Sequence, residues 1–340
     1  MKIAFVEKAK YEGDTIDNEP LAGSKSSLVY LARELARLGH EVTVYLHCDR
    51  PGKYADVNFR GIFEYTEDNY HDVMIFNRCP LGPVEYNGSA TRYLWVQDDI
   101  NQPILQGMFH PMFDTSVDHT VCLSEYAGKS FDKHFSRRSS VIRHGVNGDI
   151  FKAGLPEKVG NRLIYTSTPF RGLEPLLHFF PLIRERVQDA ELHVFSSMTI
   201  YSSIDDSEYE STFKLADQPG VTSHGVVGKR ELASQLAKCK VFAYPNIFPE
   251  TGCISILEGL AAGCVPVTSD LGALPEAVGP GGIIIPTTPE YDRQFVDGCV
   301  SLLTDDTLRN SYAKAGQDYI LNNYTWKKVA LKWVELIRRK

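Results

Sequence analysis

Phe248-Pro249-Glu250-Thr251-Gly252-Cys253-Ile254-Ser255-Ile256-Leu257-Glu258-Gly259-Leu260-Ala261-Ala262-Gly263-Cys264-Val265-Pro266-Val267 is the most informative stretch of this 340-residue chain. An apolar run at 241–244 precedes it and another at 265–268 closes it. Between them, Pro249 and Gly252 bracket a tight loop, and the pattern predicts a helix over 251–262 with Thr251 as its cap. Strand, loop, helix and strand in that order make the repeating unit of a parallel α/β sheet. The first amides of such a helix lack intrahelical partners and carry partial positive charge, which suits a phosphate or sugar hydroxyls.

Two carboxylates stand out in this setting. Glu258 sits among residues that are almost all apolar or small from Ile254 to Val267. A carboxylate there is either paired or on a solvent-facing stripe, and composition alone weighs the two equally. Glu250, taken by itself, could simply favour the helix dipole. Along a helix, eight residues rise ~12 Å and turn about 80° beyond two full turns. That spacing would put the carboxylates on related faces, near the two ends of a nucleotide-diphosphate sugar. Glu258 would then accept the ribose hydroxyls, Glu250 the sugar hydroxyls, and the intervening amides would face the diphosphate.

Working outward, the same alternation fills the chain. Strands are predicted at 2–7, 40–46, 72–77, 92–97, 119–124 and 140–142. A helix is predicted over 24–38, where Leu28, Leu31, Leu35 and Leu38 recur at helical spacing and Gly39 provides the stop. Another is predicted at 125–135. A polar stretch containing Gly and Pro, 152–161, reads as a linker. The pattern then restarts, with strands at 162–166, 192–196, 221–224, 241–244, 265–268 and 282–285, and helices at 172–187, 229–238, 251–262 and 291–303. Residues 307–340 read as two helices with no strand after them.

Hydrophobic residues make up 43% of the chain, enough for two cores, and no apolar run reaches the length of a membrane span. The net charge of −7 disfavours a broad nucleic-acid surface. Seven cysteines, at 48, 79, 122, 239, 253, 264 and 299, show no metal-ligand or CxxC spacing, which fits a reducing, cytoplasmic setting. The opening apolar run, 3–6, is too short for a signal peptide.

Glu250 and Glu258, separated by seven residues in FPETGCISILEGLAAGCVPV and followed by TSDLGALPE, resemble the paired-glutamate motif of the retaining GT-B glycosyltransferases, the glycogen-synthase-like group numbered family four. AGSKSSLVYLARELARLGHEVTVY is similar to that family's glycine loop and first helix. VIRHGVNGDIF and STPFRGLEPLLHFFPLI are similar to the end of its first domain and the start of its second. The resemblance implies an α/β fold of two Rossmann-like domains facing across a cleft, with a C-terminal helix crossing back to the first. The domains would be 1–151 (with the helix at about 324–340) on the acceptor side and 160–320 on the donor side.

The resemblance also implies roles. Glu258 would bind ribose, and Glu250 would contact the donor sugar at the reaction centre. Amides of Gly252, Cys253, Ile254 and Ser255 would meet the sugar and phosphates. Gly23 and Ser24 would approach the distal phosphate, and Arg171 would bind the leaving diphosphate. The backbone at Val226 and Val227 would meet the base. A nucleotide-sugar is the donor substrate, no cofactor or metal is expected, and the acceptor is a carbohydrate, lipid-linked or other small molecule. The setting would be cytoplasmic, compatible with peripheral contact at the inner face of a membrane. Variable loops such as 8–21 and 49–69 would read the acceptor, while the basic end, Arg338, Arg339 and Lys340, reads as a solvated helix terminus.

Three departures qualify this. Thr166 stands where the family has an arginine. Gln97 and Asp98 stand near the place of a family histidine and become candidate sugar contacts, with His110, His119 and His144 as other sources of imidazole. Lys25 replaces a common acidic residue. The alternative reading is a nucleotide-sugar-binding scaffold subunit with weak or no catalysis. A dehydrogenase is disfavoured because the first strand runs into a long polar loop rather than GxGxxG.

Overall fold

The computed structural model describes residues 1–65, 70–135, 139–201 and 204–339. Part of the loop 49–69, namely 66–69, and the terminal Lys340 lie outside these. The chain forms two compact units. One comprises 1–18, 23–145 and 326–340, the other 19–22 and 146–325.

The first unit is built on an eight-stranded sheet: β1 (Lys2–Lys10), β2 (Glu41–His47), β3 (Gly52–Tyr54), β4 (Val57–Gly61), β5 (Val73–Asn77), β6 (Thr91–Trp95), β7 (His119–Cys122) and β8 (Ser140–Val141). The spatial order is β3-β4-β2-β1-β5-β6-β7-β8, and only β3 and β4 are antiparallel neighbours. Helix α1 (Gly23–Arg37) joins β1 to β2, with Leu28, Leu31 and Leu35 fully buried, as their spacing requires. The C-terminal helix Trp326–Arg338 also belongs here. It buries Trp326, Val329, Ala330, Trp333 and Ile337, and the Trp333 ring lies 5.5 Å from Trp95 and 6.1 Å from Tyr93.

Two features differ from the sequence prediction. β1 continues past Glu7 to Lys10, because its end resumes pairing with β2 at Lys10↔His47 after a register shift. The stretch expected as a variable loop holds the β3–β4 hairpin, whose turn places Ala55 and Asp56 at φ 47° and 65°. Such a turn usually advertises itself with Asn-Gly. Here burial of Val57 and Phe59 overrides that preference.

The second unit has a six-stranded parallel sheet, ordered β11-β10-β9-β12-β13-β14. Its strands and longer helices are β9 (Asn161–Tyr165), α2 (Leu173–Arg186), β10 (Ala190–Val194), β11 (Val221–Ser223), α3 (Lys229–Lys238), β12 (Val241–Tyr244), α4 (Ile254–Ala261), β13 (Val265–Ser269), β14 (Ile283–Ile285), α5 (Tyr291–Thr304) and α6 (Asp306–Asn323). Pro181 lies inside α2 and supplies no amide to the Leu177 carbonyl. The Gln218 side chain donates to that carbonyl instead, at 3.0 Å.

Among the described residues no helix is long and apolar enough to cross a membrane.

Candidate functional site

Helix α4 corrects the first expectation about the paired glutamates. It begins at Ile254, and its cap is Cys253, with no side-chain capping bond. Thr251 therefore lies ahead of the cap position and is buried in the preceding loop. Glu250 lies in that loop too, so the helical spacing argument does not apply to it. Tertiary contacts hold Glu250 in place. Its carbonyl accepts the Ala273 amide at 2.7 Å, and Gly272, at φ 61°, passes so close that a Cβ there would sit 2.4 Å from the Glu250 oxygen. The glycine of the TSDLGALPE segment is thus required by close backbone approach.

In this sheet β9 lies between β10 and β12, which makes the crevice at the carboxyl ends of β9 and β12 the topological switch point. Two loops meet there. The turn Pro169–Arg171 follows β9, and Gly172, at φ 127°, lets it pass against the Pro245 carbonyl, which a Cβ would approach to 2.3 Å. The loop after β12 brings Phe248 and Glu250.

Glu250 is 3% exposed. It pairs with Arg171 and accepts the Tyr244 hydroxyl at 2.7 Å. The Arg171 guanidinium lies between two rings, 5.3 Å from the Phe170 centroid and 4.8 Å from Phe248. Burial is the largest influence on Arg171 and opposes its charge, but Glu250 together with Tyr244 and Tyr201 outweighs it, and the Arg171 pKa is raised. Burial, reinforced by Glu250, pushes the Cys253 thiol up as well, so Cys253 is a neutral cap.

Glu258, also buried, is answered by Lys229 at 2.7 Å, from the first turn of α3. This excludes the solvent-facing alternative. Gly252, Ile254 and Ser255 remain partly exposed around the start of α4, and Val226 and Val227 are half-buried between β11 and α3. Thr166, at the position expected to carry arginine in the family, is buried. Its hydroxyl and those of Thr168 and Ser196, after β9 and β10, lack hydrogen-bond partners among the described residues.

The remaining sequence candidates lie in the first unit. There the switch point falls between β1 and β5. Gly23 opens α1, and its carbonyl accepts Ser26 and Ser27. Ser24 and Asp98 are brought together by Arg78, whose Nη1 donates to Ser24 at 3.0 Å and whose Nη2 donates to Asp98 at 3.1 Å. Arg78 has φ 54°, an unusual backbone for a bulky residue. Gln97 donates to Asn77, which donates to the buried Glu7. Lys25 lies over the Tyr11 ring, and burial lowers its pKa. The histidines are elsewhere: His144 is buried against Ser27, His119 stacks on Tyr93, and His110 receives the Met112 amide.

Sequence inspection passed over Lys229, Tyr244, Glu7, Asn77 and Arg78. Their available signal was position: three of them, Tyr244, Asn77 and Arg78, stand at or just beyond the carboxyl end of a parallel strand, where ligands of open α/β sheets bind. Among the described residues no group of three His, Cys, Asp or Glu side chains converges as a metal site.

The architecture is that of the GT-B glycosyltransferases. Residues 159–305, within the second unit, match the family model described as Glycosyl transferases group 1. The fold overlays on WaaG, a glycosyltransferase involved in lipopolysaccharide biosynthesis, with TM-score 0.74 and 15% identity, covering 99% of this chain and 100% of that one. It also overlays on Anabaena Alr3699/HepE in complex with UDP-glucose, with TM-score 0.75 and 12% identity, covering 99% of each. The phosphatidyl-myo-inositol mannosyltransferase of Mycobacterium tuberculosis strain H37Rv is 26% identical over 259 residues, 71% of this chain and 64% of that protein. The match therefore spans less than two thirds of that relative's length.

Proposed function

We propose that the protein is a retaining glycosyltransferase that takes its sugar from a nucleotide-diphosphate donor and needs no metal. The carrying observation is the pair of buried, cation-answered glutamates flanking the start of α4: Glu250 with Arg171, and Glu258 with Lys229. A buried carboxylate is stable only with such partners, and polar ligand groups can take their place. The ribose hydroxyls would be accepted by Glu258 beside Lys229, and the donor sugar by Glu250. As the glycosidic bond to phosphate breaks, charge gathers on the leaving diphosphate. The amides of Gly252, Cys253, Ile254 and Ser255, together with Arg171, are disposed to offset it. Glu250 is already engaged by Arg171 and Tyr244, which suits orientation rather than nucleophilic attack and agrees with front-side delivery of the acceptor. The named relatives make mannose and glucose the first sugars to try, with a carbohydrate, lipid-linked or other small acceptor. A lipid-linked acceptor would entail peripheral membrane contact.

Thermal shift with GDP-mannose and UDP-glucose, with and without chelator, tests this. A chelator-insensitive rise with one of them, absent in a folded Glu258→Ala variant, is the expected outcome. An unchanged rise in that variant would remove Glu258 from the donor site. Binding without donor hydrolysis or transfer would favour a scaffold subunit, the reading to which Thr166 in place of an arginine lends weight.

A further inference from the structure

The C-terminal helix Trp326–Arg338 has two unlike faces. Its apolar side is buried in the first unit. Its outward side carries Lys327, Leu331, Lys332, Glu335 and Arg338, all exposed, with Lys328 partly so. Residues 326–340 hold six Lys and Arg and one acidic residue, in a chain whose net charge is −7. That one carboxylate, Glu335, is paired with Arg339. Residues three and four apart are neighbours on a helix surface, so Lys327, Lys328 and Lys332 crowd little more than one turn. A cation from another element joins them. Burial lowers the Lys332 pKa, and Arg143, just after β8, and Lys328 lower it further. Leu331, 49% exposed, stands amid this group, four residues after Lys327 and three after Lys328. The fold therefore holds like charges together around an apolar tip, an arrangement that repels itself until an anionic surface meets it.

We propose that this face docks the first unit onto an anionic lipid bilayer, with Leu331 entering the headgroup region and Lys327, Lys328, Lys332 and Arg143 meeting the lipid headgroup anions. The helix spends its apolar stripe on the fold. It thus offers the bilayer charge and a single apolar tip, unlike a free amphipathic helix, which offers a whole apolar face. Lysine stems are long enough to lie along apolar surface while the ammonium stays at the headgroups. The helix is ~20 Å long at ~1.5 Å per residue, so the cations are spread along a surface rather than gathered in a pocket. Its two tryptophans, Trp326 and Trp333, are 3% and 0% exposed and so cannot stack on nucleic-acid bases. Contributions of cations beside an anionic leaflet accumulate and are screened by salt. For a transferase with a lipid-linked acceptor, docking would hold the enzyme at the surface where its acceptor lies, and only that consequence rests on the proposed function.

Sedimentation of the full chain with vesicles tests this. Vesicles enriched in phosphatidylglycerol should carry the protein down and release it as salt rises, and vesicles of phosphatidylcholine alone should bind little. Lys328→Glu with Lys332→Glu should weaken partitioning about a hundredfold or more, and the milder pair Lys328→Gln with Lys332→Gln should lose less. Leu331→Gln should cost about fivefold, a loss that persists as salt rises. Lys129→Glu with Lys133→Glu makes the same change in net charge at other exposed positions of the first unit and should alter partitioning little. Thermal transitions check that each variant is folded. Equal binding to charged and uncharged vesicles, or equal losses from the two charge-reversed pairs, overturns the proposal. Failure to bind vesicles, with retention on heparin that the Lys328 and Lys332 changes abolish, assigns the face to a soluble polyanion and overturns it too. Vesicle binding by a chain that neither binds nor hydrolyses UDP-glucose or GDP-mannose upholds docking and overturns the transferase reading instead.

Discussion

Arg171 and Tyr244 meet on one oxygen of Glu250, and each makes a different residue-scale prediction. Tyr244→Phe removes a hydroxyl bonded to a buried carboxylate and should cost about 1.5–3 kcal/mol by chemical denaturation. Arg171→Ala strands that carboxylate, and breaking such a buried pair costs about 3–5 kcal/mol, so lost activity there would be ambiguous. Arg171→Lys keeps the charge but loses the fork and its seat between Phe170 and Phe248. A folded Arg171→Lys should lose turnover more than donor affinity, and normal turnover would remove Arg171 from leaving-group stabilisation. Glu7 gives a pH prediction. Its folded pKa is raised, so its contribution to stability is fully present below the unfolded carboxyl value and is lost as pH rises through the raised one. The melting temperature of Glu7→Gln relative to wild type should therefore climb from acid pH toward neutrality. A constant difference would place the Glu7 titration outside the folding equilibrium.

At the scale of elements, the loop before α4 owes its shape to glycines on other segments. Gly272→Ala would drive a Cβ into the Glu250 backbone and impose a left-handed conformation on alanine. The expected cost is about 1–3 kcal/mol, with weakened donor binding. Unchanged donor affinity would show that the loop tolerates the shift. The strand and helix pattern around this loop was readable in the sequence because apolar periodicity reports burial: residues 241–244 and 229–238 were predicted with the bounds that β12 and α3 have. The start of α4 was misplaced by three residues. Thr251 looks like a cap, but the chain beyond Pro249 is committed to tertiary contacts with Ala273 and Arg171 before it can turn helical.

Across the whole molecule, each unit has its own sheet, and the C-terminal helix completes the first one. Trp333 is fully buried beside Trp95 and Tyr93, so Trp333→Ala should cost about 3–5 kcal/mol, read as a lowered transition of the first unit. Retention of the wild-type transition would mean the helix is dispensable there. The sequence by itself determined the alternation of strands and helices, hence two parallel sheets, and it marked Glu250 and Glu258 as carboxylates in an apolar setting. These are properties of neighbours along the chain. Only the tertiary structure decided which cation answers each glutamate, that Arg78 ties Ser24 to Asp98, and that Glu7 reaches Gln97 through Asn77. Those partners are separated by 20 to 79 residues and come together at strand ends. Strand order and register set that meeting, and local periodicity carries no information about either.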